Sequence, residues 1–192
     1  MKTEVKRLNE FMGLCPQLIK DVPGLIDYLT DNGFFSAPAS TKYHGAYPGG
    51  LYEHSTNVYL RLKWMTETMM LNWQRPESPF IIGMFHDLCK MDQYQEVVDD
   101  PGKMMFGEEE PKDQKIHYEY RKDQILSGHG EKSIMLLSRF MTLTEEEILC
   151  IRYHMGAYQQ EDWAGFDLAI RKYPTVLMIH TADMYASKVD DK

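Results

Sequence analysis

Residues 79–88 read Pro-Phe-Ile-Ile-Gly-Met-Phe-His-Asp-Leu. A leading proline suits the first turn of a helix, where its missing N–H costs nothing. The apolar residues that follow fall on every side, so the segment predicts a helix buried all round. At its C-terminal end stand a histidine and an aspartate, His86 and Asp87. Seven histidines and fourteen aspartates in 192 residues yield about 0.5 His-Asp pair by chance, so the dipeptide alone carries no weight. Its surroundings do. Two adjacent polar groups ending a buried segment need partners, and one divalent metal can serve both.

Upstream, Tyr52 to Leu71 carries Val58, Leu62, Met65 and Met69 at three- and four-residue steps, the stripe of an amphipathic helix. His54 lies in its first turn, after the Gly49-Gly50 hinge. Downstream, His129 opens a segment from Gly128 to Met141 with Ile134, Leu137 and Phe140 at spacing three. Thr144 and Glu147 form a capping box for a helix through Ile148, Ile151 and Tyr153, and His154 and Gly156 follow at its end. Pro174 starts a last helix through Val176, Ile179 and Asp183. The N-terminal third predicts one or two short helices ending near Asn32-Gly33. Between Met91 and Ser127 the pattern changes. Pro101-Gly102 marks a turn, and Lys115 to Arg121 alternates with Ile116, Tyr118 and Tyr120 on one side. The fold class expected is all-α, a helical bundle carrying a small β-hairpin or irregular insertion near residues 91–127. Glu108–Glu110 reads as a solvated loop. Length predicts one domain over 1–192, with N-terminal helices in 1–44 and a metal-binding core in 45–188.

Composition narrows the function. Hydrophobic residues make up 43% and charged residues 26%, ordinary for a globular protein with a real core. No apolar run approaches the ~18 residues of a membrane span, so no membrane partner is expected. The charged start, Met1 to Glu10, is unlike a signal peptide, and the expected location is cytoplasmic. Cys15, Cys89 and Cys150 are odd in number and form no Cys-x-x-Cys, which disfavours a disulfide framework or a thiolate zinc site. Lys and Arg total 21 against 29 Asp and Glu, a net charge of −8. Polymeric nucleic acid calls for a basic surface, so a small nucleotide is the favoured substrate over RNA or DNA. An acidic protein that handles phosphates needs a cation, and the seven histidines make a metal the first candidate.

Each candidate has an ordinary explanation by itself. A histidine at a helix end can be a cap, and Asp183 can pair with Lys188 or Arg171. One metal site accounts for His54, His86, Asp87, His129, His154 and Asp183 together. In order, the chain shows Gly-Gly-Leu-Tyr-Glu-His ending at His54 and Phe-His-Asp-Leu-Cys-Lys at 85–90. It continues with Gly-His-Gly-Glu-Lys-Ser at 128–133, Arg-Tyr-His ending at His154, and His-Thr-Ala-Asp-Met at 180–184. This ordered set, over roughly residues 45–188, resembles the HD-domain superfamily of metal-dependent phosphohydrolases.

The resemblance implies an all-α bundle with ligands projecting into its centre. A minimal subtype holds one metal on residues matching His54, His86, Asp87 and Asp183. A larger subtype adds two histidines, matched by His129 and His154, and a second metal bridged by Asp87. The expectation is therefore two divalent ions per chain, drawn from Fe, Mn, Zn, Ni, Co or Mg. Cyclic-dinucleotide phosphodiesterases of the superfamily carry a further histidine where this chain has Met155, and a Gly-Tyr-Pro signature it lacks.

The expected enzyme cleaves a phosphate ester, phosphodiester or phosphoanhydride of a small nucleotide. Asp87 and Lys90 are the catalytic candidates; Lys90, Lys132, Tyr47 and Tyr118 are the candidate substrate contacts. Tyr94 and Tyr120 of the insertion, and His44 and Tyr52 beside the glycine hinge, are further pocket candidates. His180 is a candidate for orienting a ligand, and His117 reads as a strand surface residue. Two alternatives stand beside this reading: a 3′-to-5′ nuclease acting on single-stranded ends, and a non-catalytic nucleotide sensor or scaffold. An intact six-residue set argues against the second, because a binding module needs no activated water.

Overall fold

The structure, a computed structural model, describes residues 3–98, 116–126, 128–157 and 162–191. The expected Pro101-Gly102 turn and the Glu108–Glu110 loop lie outside these residues.

The N-terminal third holds three helices where one or two were expected: α1 (Glu4–Leu14), α2 (Pro16–Asp21) and α3 (Leu25–Asp31). Proline accounts for both breaks. Pro16 can open α2 but cannot continue α1, and Pro23-Gly24 separates α2 from α3, with Gly24 at φ 80°. These helices belong to the core. Phe11 of α1 packs against Phe34, Phe35, Phe80 and Phe85, with ring centroids 5.6–6.2 Å apart and mostly edge-to-face.

The centre is α4 (Gly50–Met69) against α5 (Ser78–Phe85) and α9 (Thr175–Tyr185). All eight residues of α5 are buried, as the 79–88 segment predicts. Val58, Leu62 and Met65 of α4 point inward, whereas Met69, at the helix end, is solvent-exposed. After α5 a 3₁₀ turn (Leu88–Asp92) leads into β1 (Tyr94–Val98), which pairs antiparallel with β2 (Ile116–Tyr120). Tyr94 faces Tyr120, and Val98 faces Ile116. Of the alternating set in β2 only Tyr118 is buried; a two-stranded ribbon by itself covers little. The fold is thus mostly α with one small antiparallel hairpin.

Helices α6 (His129–Leu137) and α7 (Glu145–Arg152) follow and pack on each other. The capping box at Thr144 and Glu147 is present in full. Glu147 does more than cap. Its carboxylate takes two hydrogen bonds of 2.7 Å from Arg75 and one of 2.8 Å from Ser78, tying the start of α5 to the start of α7. A helix the sequence pattern did not reveal, α8 (Trp163–Lys172), precedes α9. It buries Phe166 and Ala169, while Trp163 and Leu168 face solvent. A π-helical turn (Ala186–Asp190) ends the described chain. Among the described residues no helix is long and apolar enough to cross a membrane.

Candidate metal centre

Five elements deliver side chains to one buried point. His54 comes from α4, one turn in. His86 and Asp87 follow the last residue of α5. His129 is the first residue of α6, His154 sits in the turn after α7, and Asp183 lies in α9.

Two glycines let the helices come close enough. A Cβ on Gly83 would lie 2.5 Å from the Tyr59 Cα, so α5 can press on α4 only at a glycine. A Cβ on Gly130 would lie 2.6 Å from the Ile151 carbonyl oxygen, the same constraint between α6 and α7. The first crossing brings His54 to His86, and the second brings His129 to His154, with ring centroids 5.4 and 5.1 Å apart.

Three of the four imidazoles have their Nδ1 engaged from behind. His86 Nδ1 meets the Gly83 carbonyl at 2.9 Å, and His154 Nδ1 meets the Ile151 carbonyl at 2.7 Å. His54 Nδ1 lies 2.7 Å from Asp191 Oδ2. Carbonyl and carboxylate oxygens accept, so Nδ1 of each carries a proton; on His86 and His154 that tautomer leaves an Nε2 lone pair facing inward, while Nε2 of His54 meets the Asp183 carboxylate as well. His129 Nδ1 has a weaker companion, the Cys89 sulfur at 3.2 Å.

The inward atoms then meet one another. His54 Nε2 lies 3.2 Å from Asp183 Oδ1 and 3.4 Å from His86 Nε2. Asp87 Oδ2 stands 3.6 Å from His54 Nε2 and 3.4 Å from His86 Nε2, while its Oδ1 stands 2.7 Å from His129 Nε2 and 3.5 Å from His154 Nε2. Asp87 Oδ1, His129 Nε2 and His154 Nε2 are buried without a hydrogen-bond partner, the close approach of the first two included. Orphaned buried polar atoms are rare and costly. Ligands ~2.1 Å from one ion stand ~3.0 Å apart at right angles and ~4.2 Å apart when opposite. The observed separations match that geometry, and the N/O donor set suits first-row divalent metals. The cluster can hold metal.

Charge is arranged to match. Burial opposes ionisation of Asp87, yet Lys90, His86 and His129 outweigh it and hold the carboxyl well below its usual range. Lys90 Nζ lies 2.7 Å from Asp87 Oδ2, one 3₁₀ turn on, and Asp87 keeps that ammonium charged despite burial. Burial disfavours protonated His54, but Asp183 and Asp191 on its two nitrogens lift it to about 9. Burial lowers His86, and Asp87 only partly offsets this. Asp183 does not pair with Lys188 or Arg171, the ordinary partners open to it; it faces His54 and His86, and Arg171 binds Asp167.

A cavity of about 640 Å³ opens beside the cluster, lined by Lys90, His129 and His44, by Gln93, and by Tyr94 and Tyr120 of the hairpin. Tyr153, Arg152 and Met155 from the end of α7 also line it. Other expected contacts sit elsewhere. Tyr47 donates to Glu53 at 2.9 Å and Tyr118 is buried in the hairpin; neither lines the cavity. Lys132, a candidate substrate contact, is buried with its ammonium on Asp92 and Gln124. Tyr52 is a core residue. His117 is half-exposed on its strand, beside Glu119. His180 Nδ1 donates to the His154 carbonyl at 2.7 Å, steadying that turn. Cys89 is buried, and burial pushes its thiol up to about 12, so it stays protonated.

Sequence reading missed Asp191, whose side chain is 4% exposed against His54. In an Asp-Asp-Lys stretch it looks like solvated charge, and no apolar neighbour flags it. No protein-family model, curated protein or solved structure matches the chain.

Proposed function

We propose that the protein is a binuclear, HD-type metal-dependent phosphohydrolase acting on a small nucleotide. Asp87 carries this proposal. One of its oxygens faces the His54–His86 pair, the other faces the His129–His154 pair, and all four imidazoles turn Nε2 toward it. A carboxylate flanked in this way suits a bridge between two ions. His54, His86 and Asp183 would complete one position, and His129 and His154 the other. When bound, such ions lower the pKa of coordinated water from ~15.7 towards ~7 and offset charge on phosphoryl oxygens.

The chain supplies the rest. Lys90 is held by Asp87 at the cavity wall, where its ammonium can take a phosphate oxygen or balance charge on the leaving group. Tyr94 and Tyr120 are cross-strand partners, 5.1 Å between centroids, and both line the cavity. Aromatic faces stack on planar bases. A nucleotide would set its phosphate at the histidines and its base against the hairpin. The cavity volume falls in the ~300–1,000 Å³ range of small-molecule sites, and a chain of net charge −8 has little to grip a polymer.

The test is a nucleotide library screened against protein reconstituted in turn with Mn, Fe, Co, Ni, Zn and Mg, with metal content measured in parallel. Phosphate release from mono- or dinucleotides is the expected result. Release only from single-stranded oligonucleotides, falling steeply with salt, would assign the site to a nuclease instead. Nucleotide binding without turnover under every metal would leave a sensor.

A further inference from the structure

Three side chains on one face of α4 meet two consecutive carboxylates from beyond α9. His54 Nδ1 lies 2.7 Å from Asp191 Oδ2, and Asn57 Nδ2 donates to Asp191 Oδ1 at 2.7 Å. Arg61 donates to both oxygens of Asp190, at 3.0 and 3.1 Å. Steps of three and four residues align 54, 57 and 61 along the helix. The π-helical turn places Asp190 and Asp191 there, with the Asp191 N–H on the Ala186 carbonyl at 3.0 Å. Such irregular turns recur where function demands an odd backbone path.

The two carboxylates have different surroundings. Asp190 is an exposed residue whose side chain, 25% exposed, grips Arg61, which also lies 3.9 Å over the Tyr185 ring. Asp191 is half-buried as a residue, but its side chain is only 4% exposed and touches a residue of the metal centre directly. Among the four imidazoles, His54 is the one backed by a carboxylate; His86 and His154 use neutral carbonyls.

We propose that Asp191 is a positioning residue of the metal centre: it holds the His54 ring through Nδ1 and aims Nε2 at Asp87 and Asp183. A carboxylate behind an imidazole fixes its tautomer and makes the far nitrogen a stronger donor. Asn57 occupies the second oxygen of Asp191 and keeps it from turning away. The proposal rests on the metal reading of the cluster.

The experiment titrates Mn(II) and Zn(II) into the chelator-treated full chain by calorimetry, for wild type, Asp191→Asn, Asp191→Glu, Asn57→Leu and Asp190→Asn. Nitrogen-15 NMR of the His54 ring, without added metal, runs alongside. Asp191→Asn is expected to weaken the tighter ion by about 10–100-fold, with Asp191→Glu recovering most of the loss. Asp190→Asn removes the Arg61 ion pair and should stay within about twofold of wild type. Equal weakening by Asp190→Asn and Asp191→Asn would reduce both to a clamp and overturn the proposal. If Asp191→Asn does not fold, Asn57→Leu decides: weaker metal binding with unchanged circular dichroism supports the role, and unchanged binding overturns it. A wild type that takes up neither ion refutes the metal centre itself. The ring NMR judges Asp191 separately, because matching Nδ1 signals in wild type and Asp191→Asn would sink it with or without metal.

Discussion

The two halves of the centre share Asp87 and are otherwise built differently. The half formed by His54, His86 and Asp183 lies inside the helix packing, with both imidazoles about 1% exposed or less and each backed by an oxygen acceptor. The half formed by His129 and His154 reaches the cavity through His129, while His154 is fully buried on the Ile151 carbonyl. His129 is 29% exposed in its side chain, lines that cavity, and has only a thiol sulfur, a weak hydrogen-bonding group, behind it. Burial and orientation of the donors set how firmly an ion is held. The enclosed half is therefore the tighter expected site, and the open half is the one expected to exchange with solvent and to meet a substrate.

The most damaging way to test this division is to remove what the halves share. Asp87→Ala is expected to lose metal from both and to cut turnover by at least ~10³-fold, read by elemental analysis and product release. Loss of one ion alone would show that Asp87 does not bridge. Next comes the contrast itself. His129→Ala should lower metal content from two ions to one, whereas His86→Ala should compromise the enclosed half and, through Asp87, the open one. Dialysis of wild type against a graded chelator should remove the ions in two steps. A single step would mean that the halves are equivalent.

Lys90→Ala sharpens the comparison from the substrate side. Its ammonium touches Asp87 and faces the cavity without being a ligand, so turnover should drop by about 10²-fold with metal content near wild type. Unchanged kinetics would make it a counter-charge only. The smallest effects concern the helix crossings. Gly83→Ala and Gly130→Ala each force a methyl into backbone, an overpacking cost of about 1–3 kcal/mol. Thermal unfolding should register Gly83→Ala more strongly, since α5 is buried throughout. Gly130→Ala should chiefly weaken retention of the second ion.

The enclosed half was also the more legible in sequence. His86, Asp87 and Asp183 are polar residues set in apolar runs, and a polar residue in an apolar run announces a partner. Asp191 gives no such sign, because its neighbours are polar and its burial arises from α4 and the chain end meeting across 137 positions. Lys132 misled for the opposite reason. Helical spacing puts it beside His129, yet its ammonium is taken by Asp92 and Gln124, from the two ends of the hairpin segment, an arrangement no local pattern encodes. Short helices at the N-terminus were underestimated because prolines cut one apolar stripe into three pieces too brief for periodicity to resolve.

Donors gathered from α4 through α9 have a consequence for how the protein is made. A ribosome adds about 5–20 residues per second, so on the order of ten seconds pass between synthesis of His54 and of Asp183. During that interval the growing chain offers histidines without the carboxylate that closes their site. Capture of an ion in native geometry would then wait for α9 to dock on α4. Metal uptake would then be coupled to the docking of α9, and a chain truncated before α9 is expected to fail to retain the ion.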